Sequence, residues 1–439
     1  MQSEWECVQI GQLVKAGAAI LQTGPFGSQL HKHDYVEHGV AIIPTEAIGR
    51  GAIRPDVSLP QISSAKAIEL SRHKLCKGDI LFARRGVQAT GLSAVVGPEH
   101  EGSLCGTGAI LLRVRPDVMD PHFLAAVLAT SEAYDWLRAH AVGAVMPNLN
   151  SEIIGQLAVP RPTLDLQRAI ARVSQSLSQR VDLLRQTNAT LESIAQAIFK
   201  SWFIDFDPVR AKAEGREPDG MDAATAALFP AEFEESELGL IPKNWRVVSV
   251  YEVANVIYGA PFSSRRFNTD ANGQPLVRIR DLRDEAPGVW TPEVHPKGYL
   301  LHPGDIVVGM DGEFRAYLWG GTPAWMNQRV CCFRPVAPHC AAFVRCAIAG
   351  PLAHIEATEV ATTVIHLGKG DIDRFKVVAP PEAVASAFAG VADPLYARIV
   401  TNKAQARHLS ELRDALLPRL ISGKLRLPEV REQAENALA

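Results

Sequence analysis

Residues 75–86 read LCKGDILFARRG, and residues 301–312 read LHPGDIVVGMDG. Both place Gly-Asp before a short apolar run, then polar residues and a glycine. Gly supplies the backbone freedom of a turn, and runs such as ILFA and IVVG have the length and side chains of a strand. The same feature therefore occurs twice, roughly half of the 439-residue chain apart.

Other features recur in the same order. TGPFGSQL (23–30) is matched by YGAPFSSRRF (258–267), and IIGQLAVPRP (153–162) by IDRFKVVAPP (372–381). Between them, VAIIPTEAI and QPLVRIRDL alternate apolar and polar residues as strands do. DPHFLAAVLATSEAYDWLRAH reads as a helix with Asp120 as N-cap and Pro121 at the first helical position. Each block is an α+β unit.

A long helical pattern follows each block. Ile170, Val173, Leu177, Val181, Leu184, Asn188, Leu191, Ala195 and Ile198 step by three or four, the spacing of a coiled-coil seam. Forty residues at ~1.5 Å each make a rod of about 60 Å. The second seam holds Val391, Leu395, Ile399, Asn402, Ala406, Leu409, Leu412, Leu416 and Leu420. There Asp393-Pro394 marks a break or a start, and Pro418 and Gly423 mark the end. Asn188 and Asn402 fall in the apolar seams, where they either fix register or turn to a solvated edge. Neither stripe is buried by its own helix, so the two are expected to pack antiparallel on each other.

The expected fold class is α+β, two pseudo-repeated domains joined by two long antiparallel coiled-coil helices. The boundaries are a first domain at 1–162 and a first helix at 163–203. A connector at 204–244, a second domain at 245–381, a second helix at 382–427 and a tail at 428–439 complete the chain.

Charge sorts along these divisions. Net charge is −3; residues 1–160 carry 13 basic and 15 acidic side chains and residues 245–382 carry 14 of each. Residues 161–203 carry six basic and three acidic side chains, and the connector at 204–244 four basic and ten acidic. Bulk charge neither announces nor excludes a nucleic-acid partner. The chain opens without a secretory signal pattern, and no apolar run reaches the ~18 residues of a membrane span. The seven cysteines form no CxxC pair or zinc spacing, which points to reduced thiols and a cytoplasmic location.

Catalytic patterns are missing. There is no phosphate-binding GxxxxGK[ST], no GxSxG elbow and no GxGxxG after a strand. Asp205 and Asp207 form a DxD, but Phe203, Phe206 and Pro208 around it read as a packed hinge rather than a metal site. No metal ligand set, cofactor site or catalytic residue is expected. Polar, flat-ended side chains instead gather in loops of both blocks, and such residues suit base edges and phosphates.

The sequence resembles the specificity subunit of type I restriction–modification systems. The resemblance is carried by GPFGSQLHKHDYVEHG, GDILFARRG, FKSWFIDFDPVRAKAEG, FPAEFEESELGLIPKNW, GDIVVGMDGEFRAYLW, NQRVC and LRDALLPRLISGKL, and it covers essentially the whole chain. It implies two target-recognition domains that each read half of a split double-stranded DNA sequence, with the long helices setting the gap. It implies two adenine-methylating modification subunits as partners and, in restricting systems, restriction subunits. S-adenosylmethionine, ATP and Mg are then expected on those partners alone. Residue type and loop position nominate Lys32, His33, Tyr35, Arg84, Arg85 and Gln88 as DNA contacts in the first block. In the second they nominate Arg265, Arg266, Arg278, Arg280, Arg283, Arg315 and Arg329. Phe199, Trp202, Phe203 and Phe206 either cap the rod against the second domain or form the docking surface for modification subunits. The competing reading is a two-headed protein-binding scaffold without DNA readout.

Overall fold

The computed structural model describes residues 4–86, 89–143, 146–358 and 365–426, and the chain is a mixed helix-and-sheet protein. It divides into two compact units, Met1–Arg180 with His408–Ala439, and Val181–Arg407. The expected tail at 428–439 lies outside the described residues, as does Gln88.

The first unit is built on a sheet of order Ala19–Thr23, Ala109–Val114, Ile80–Ala83, Ser93–Val95 and Gly51–Ala52. A smaller sheet orders Tyr35–Val36, Gln61–Ile62, Val40–Ile43 and Leu104–Cys105, the last two strands parallel. Cys7–Gln9 pairs with Ala158–Pro160. The strand Ile80–Ala83 is buried on both faces, so it reads as a continuous apolar run rather than an alternating one.

The second unit has a sheet of order Ala254–Tyr258, Val330–Pro335, Ile306–Gly309 and Ala316–Leu318. Its smaller sheet pairs Gln274–Val277 in parallel with Ala324–Met326, and Arg246–Ser249 pairs with Lys376–Ala379.

Several local readings are corrected. VAIIPTEAI is a strand only to Ile43; after Pro44 it turns into a 3-10 helix, Thr45–Ala47. QPLVRIRDL likewise changes from strand to a 3-10 helix at Ile279–Asp281. The segment from Asp120 contains two helices, Pro121–Leu128 and Ser131–His140. Asp120 caps the first, accepting from His122 and Phe123 N–H at 3.0 and 2.9 Å. The break has a local cause: Thr130 Oγ1 accepts from Ala133 N–H and starts a new helix.

The first long helix runs Leu164–Phe203 and the second Glu382–Ser422. The second does not break at Asp393-Pro394. A helix-interior proline costs about 3 kcal/mol, and here the buried residues Phe388, Ala392, Tyr396 and Ile399 on both sides of it hold the helix to the core. The seam there runs through Ala392 and Tyr396, while Val391 is 45% exposed. Gly423, at φ +85°, takes the left-handed position that ends the helix. This helix is long and apolar enough to cross a membrane by length and composition alone, but Phe388, Tyr396, Ile399, Leu409, Leu416 and Leu420 along it are core residues.

In the first unit, Ile170 and Ala171 share a buried cluster with Leu416, Leu417, Leu420 and Ile421. In the second unit, Ala195, Phe199, Trp202 and Phe203 share one with Phe388, Ala392, Tyr396 and Ile399. Each unit thus buries its own stretch of both helices.

Within the second unit, Asn402 Nδ2 donates to Asn188 Oδ1 at 2.8 Å, and Asn402 is fully buried. This settles the two asparagines as a mutual pair. Asn188→Leu alone strands the Asn402 amide and should cost about 1–3 kcal/mol, whereas Asn188→Leu with Asn402→Leu should be near neutral or stabilising. A double-mutant cycle by denaturant unfolding measures the difference.

The connector is ordered and folded. It contains the helix Asp207–Ala213 and a hairpin of Phe233–Ser236 with Gly239–Pro242. Lys212 Nζ donates to the carbonyls of Ala226 and Phe229, tying the helix to the chain ahead of the hairpin. Phe229, Ile241 and Trp245 enter the same core as Trp202 and Phe203.

Candidate nucleic-acid interface

The two Gly-Asp stretches make the same hydrogen bonds in their own units. Gly78 N–H donates to Val96 O at 2.9 Å and Val96 N–H to Asp79 O at 2.7 Å. Gly304 N–H donates to Trp319 O and Trp319 N–H to Asp305 O, both at 2.8 Å. Each aspartate side chain then accepts the N–H three residues back, from Cys76 at 2.7 Å and His302 at 2.8 Å.

The correspondence continues to the loop ends of these strands. Arg84 N–H donates to Gly108 O and Leu149 N–H to Arg84 O, at 2.9 and 2.8 Å. Met310 N–H donates to Arg329 O and Leu367 N–H to Met310 O, at the same distances. Bridges pair Arg85 with Asn148 and Asp311 with His366. Backbone bonding therefore sets Arg85 equivalent to Asp311, Gly108 to Arg329 and Asn148 to His366. The 3-10 helices set Glu46 equivalent to Arg280.

In the first unit these loops surround a cavity of about 260 Å³ lined by Tyr35, Thr45, Glu46, Arg85, Gly108 and Met146, among others. Gly108 keeps it open, since a Cβ there would lie 2.1 Å from Thr45 Oγ1. Arg85 is exposed at this rim, with no side-chain hydrogen bond or ion pair among the described residues. Its neighbour Arg84 differs: its Nε donates to Asn148 Oδ1 at 3.0 Å, so it serves the frame rather than a ligand. Lys32 and His33 are exposed on a 3-10 helix beside Tyr35, which is 40% exposed. The His31 N–H holds the Asp34 carboxyl below its ordinary range, so an anion sits beside Lys32 and His33.

In the second unit, Arg265, Arg266 and Arg280 are exposed, and none has a side-chain hydrogen bond or ion pair among the described residues. Arg283 is also exposed. Arg278 is committed to Asp281, at 3.1 Å, and Arg315 to Glu313, at 2.9 Å. Arg329 Nη1 lies 3.1 Å from His366 Nδ1 and 3.6 Å from Asp311 Oδ1.

Sequence reading passed over Asp311, Asn148 and the role of His366, because only the fold brings them to this loop cluster. It also passed over Arg50 and Arg138, whose guanidinium carbons each lie 5.7 Å from the Tyr134 ring centre. Among the described residues, no group of three or more His, Cys, Asp and Glu is placed to hold a metal.

The expected partner surface at Phe199, Trp202, Phe203 and Phe206 is corrected. These residues are 6, 7, 3 and 7% exposed and belong to the core of the second unit. Their coverage by Phe229, Trp245, Phe343 and Phe388 leaves no aromatic face there for another subunit.

Residues 2–193 match the family model described as the type I restriction modification DNA specificity domain. The chain is 23% identical over 430 residues to the type I restriction enzyme HindI specificity subunit of Haemophilus influenzae, covering 83% of this chain and 90% of that protein. It is 33% identical over 190 residues to the EcoBI specificity subunit of Escherichia coli, covering 42% and 40%. Among solved structures, the S subunit of a type I restriction–modification system from M. genitalium shares the fold at a TM-score of 0.52 and 15% identity, over 95% of this chain and 96% of that one.

Proposed function

We propose that the chain is a non-catalytic DNA specificity subunit of a type I restriction–modification system, the family its similarities point to, and that it reads a bipartite duplex target, half with each unit. The observation that carries this reading is one backbone frame holding different loop side chains: Arg85, Gly108 and Asn148 in one unit, Asp311, Arg329 and His366 in the other. A repeated frame with unlike side chains suits two half-sites of unlike sequence.

In this reading the units are pseudo-repeated target-recognition domains. The two long helices, whose residues belong to both units, form an antiparallel coiled coil that fixes the gap between half-sites. The partners are two modification subunits and, in a restricting system, restriction subunits. S-adenosylmethionine, ATP and Mg belong to those partners, and the assembly works in the cytoplasm.

The test is co-expression of the full chain with its modification subunits, followed by mapping of methylated adenines. One bipartite motif is expected, and Arg85→Ala should relax a single half of it. Arg265→Ala with Arg266→Ala should weaken binding to all sequences and lower the slope of log affinity against log salt by about 2, the signature of lost phosphate contacts. Binding without steep salt dependence would favour the protein-scaffold reading instead.

A further inference from the structure

The Asp311–His366–Arg329 cluster has a geometry that specifies what it binds, given the DNA-reading role proposed above. Its three backbone segments are locked together: Met310 N–H donates to Arg329 O at 2.9 Å, Leu367 N–H to Met310 O at 2.8 Å, and Gly312 N–H to Ile365 O at 3.1 Å. The side chains are graded in exposure, 30% for Asp311, 47% for His366 and 52% for Arg329.

His366 Nδ1 faces two oxygens, Asp311 Oδ1 at 2.7 Å and Met310 O at 3.0 Å. Oxygens with lone pairs on that side place the ring proton on Nδ1, which makes Nε2 of the neutral ring a hydrogen-bond acceptor. Arg329 Nη1 lies 3.1 and 3.4 Å from the two ring nitrogens. With the Nδ1 proton committed to oxygen, the guanidinium rests against the ring and keeps further N–H donors for a ligand.

The nearby carboxylate selects between ligands. A phosphate approaching Arg329 would also meet Asp311, 3.6 Å from the guanidinium, and like charges at such range repel. A neutral base edge meets no such penalty. The exposed Arg265 and Arg266 have no carboxylate partner among the described residues, so phosphate suits them better.

We propose that Arg329 and His366 read adjacent base edges in the half-site of the second unit. Arg329 donates to the two acceptors of a guanine, and His366 Nε2 accepts from the exocyclic amine of an adenine or cytosine. Asp311 is a positioning residue that fixes the His366 tautomer and the ring orientation.

The experiment is selection from a randomised duplex library by the full chain assembled with its modification subunits. Arg329→Ala should reduce preference for one guanine roughly 5- to 100-fold and leave the other half-site unchanged. His366→Ala should relax the adjacent position. Asp311→Ala should relax that same position and add nothing when combined with His366→Ala, while Asp311→Asn, which keeps an acceptor oxygen, should restore selectivity. Where Asp311→Ala lowers the melting temperature, the more exposed Arg329 and His366 variants carry the test alone. A bipartite motif unchanged in these variants, or weakened equally at every position, overturns the assignment while leaving the DNA-reading role intact. A wild-type assembly that selects no bipartite motif overturns both.

Discussion

Phe203→Ala should destabilise the second unit by about 3–5 kcal/mol, the range for removing a fully packed aromatic ring. Phe203 is 3% exposed and its ring centre lies 5.0 Å from Phe388, 5.1 Å from Phe199, 5.2 Å from Phe343 and 5.8 Å from Trp245. It therefore joins both long helices to the helix Ala341–Thr358 and to the start of the Arg246–Ser249 strand. The contacts with Phe343 and Phe388 are close to perpendicular, at 86° and 89°, a favoured edge-to-face geometry that smaller side chains do not reproduce. Hydrogen exchange gives the local readout: amides of Ile306–Gly309 should lose protection, whereas those of Ile80–Ala83 in the first unit should keep theirs. Ile204→Ala, at a side chain 58% exposed, is the control and should change stability by no more than about 0.5 kcal/mol. Equal losses in the two variants would remove Phe203 from its central place in this core.

The same ring decides between the two readings that the sequence left open, a cap of the rod against the second domain and a docking surface. SWFIDFDP shows that aromatic surface must be covered, and it is silent on what covers it. The covering residues, Phe229, Trp245, Phe343 and Phe388, lie far along the chain, so an internal core and a subunit interface look alike before folding. The duplicated Gly-Asp turns were legible because their chemistry is local: a glycine, a carboxylate that accepts an N–H three residues back, and an apolar strand. The long helices were legible for the same reason, through periodicity. Local rules failed where tertiary packing outweighed them. Core side chains around Pro394 keep a helix that proline alone would interrupt, and Pro44 ends a strand whose alternating pattern continues to Ile48.

The candidate site was legible by residue type and illegible by position. Arg84 and Arg85 are neighbours with the same side chain, yet Asn148 holds one while the other lines the cavity. Arg278 and Arg315 were equally plausible contacts until Asp281 and Glu313 proved to occupy them. The reverse holds for Asp311 and His366. An aspartate and a histidine without motif spacing carry no signal until a backbone bridge puts them side by side.

Arg113→Ala should cost the first unit about 2–3 kcal/mol, through the charge it leaves behind. Asp79 is 2% exposed and accepts from Cys76 N–H and from Arg113 Nε and Nη2, each at 2.7 Å. Removing one partner of a buried ion pair typically costs 3–5 kcal/mol; the figure here is lower because the Arg113 side chain is 38% exposed and water reaches the pair. Arg113→Lys keeps the charge but not the two-pronged contact, so it should fall between wild type and alanine. Asp79→Asn with Arg113→Leu removes both charges and should recover part of the loss. In the second unit the equivalent Asp305 takes a neutral donor instead, Tyr299 Oη at 3.0 Å, and Tyr299→Phe should cost only about 1 kcal/mol. Thermal unfolding of the four variants ranks them. A double variant less stable than Arg113→Ala would show that the pair acts through packing rather than charge. Because Asp79 immediately precedes the strand Ile80–Ala83, which leads to Arg85, selectivity in the Arg113→Ala assembly should weaken first at the half-site read by the first unit, as temperature rises.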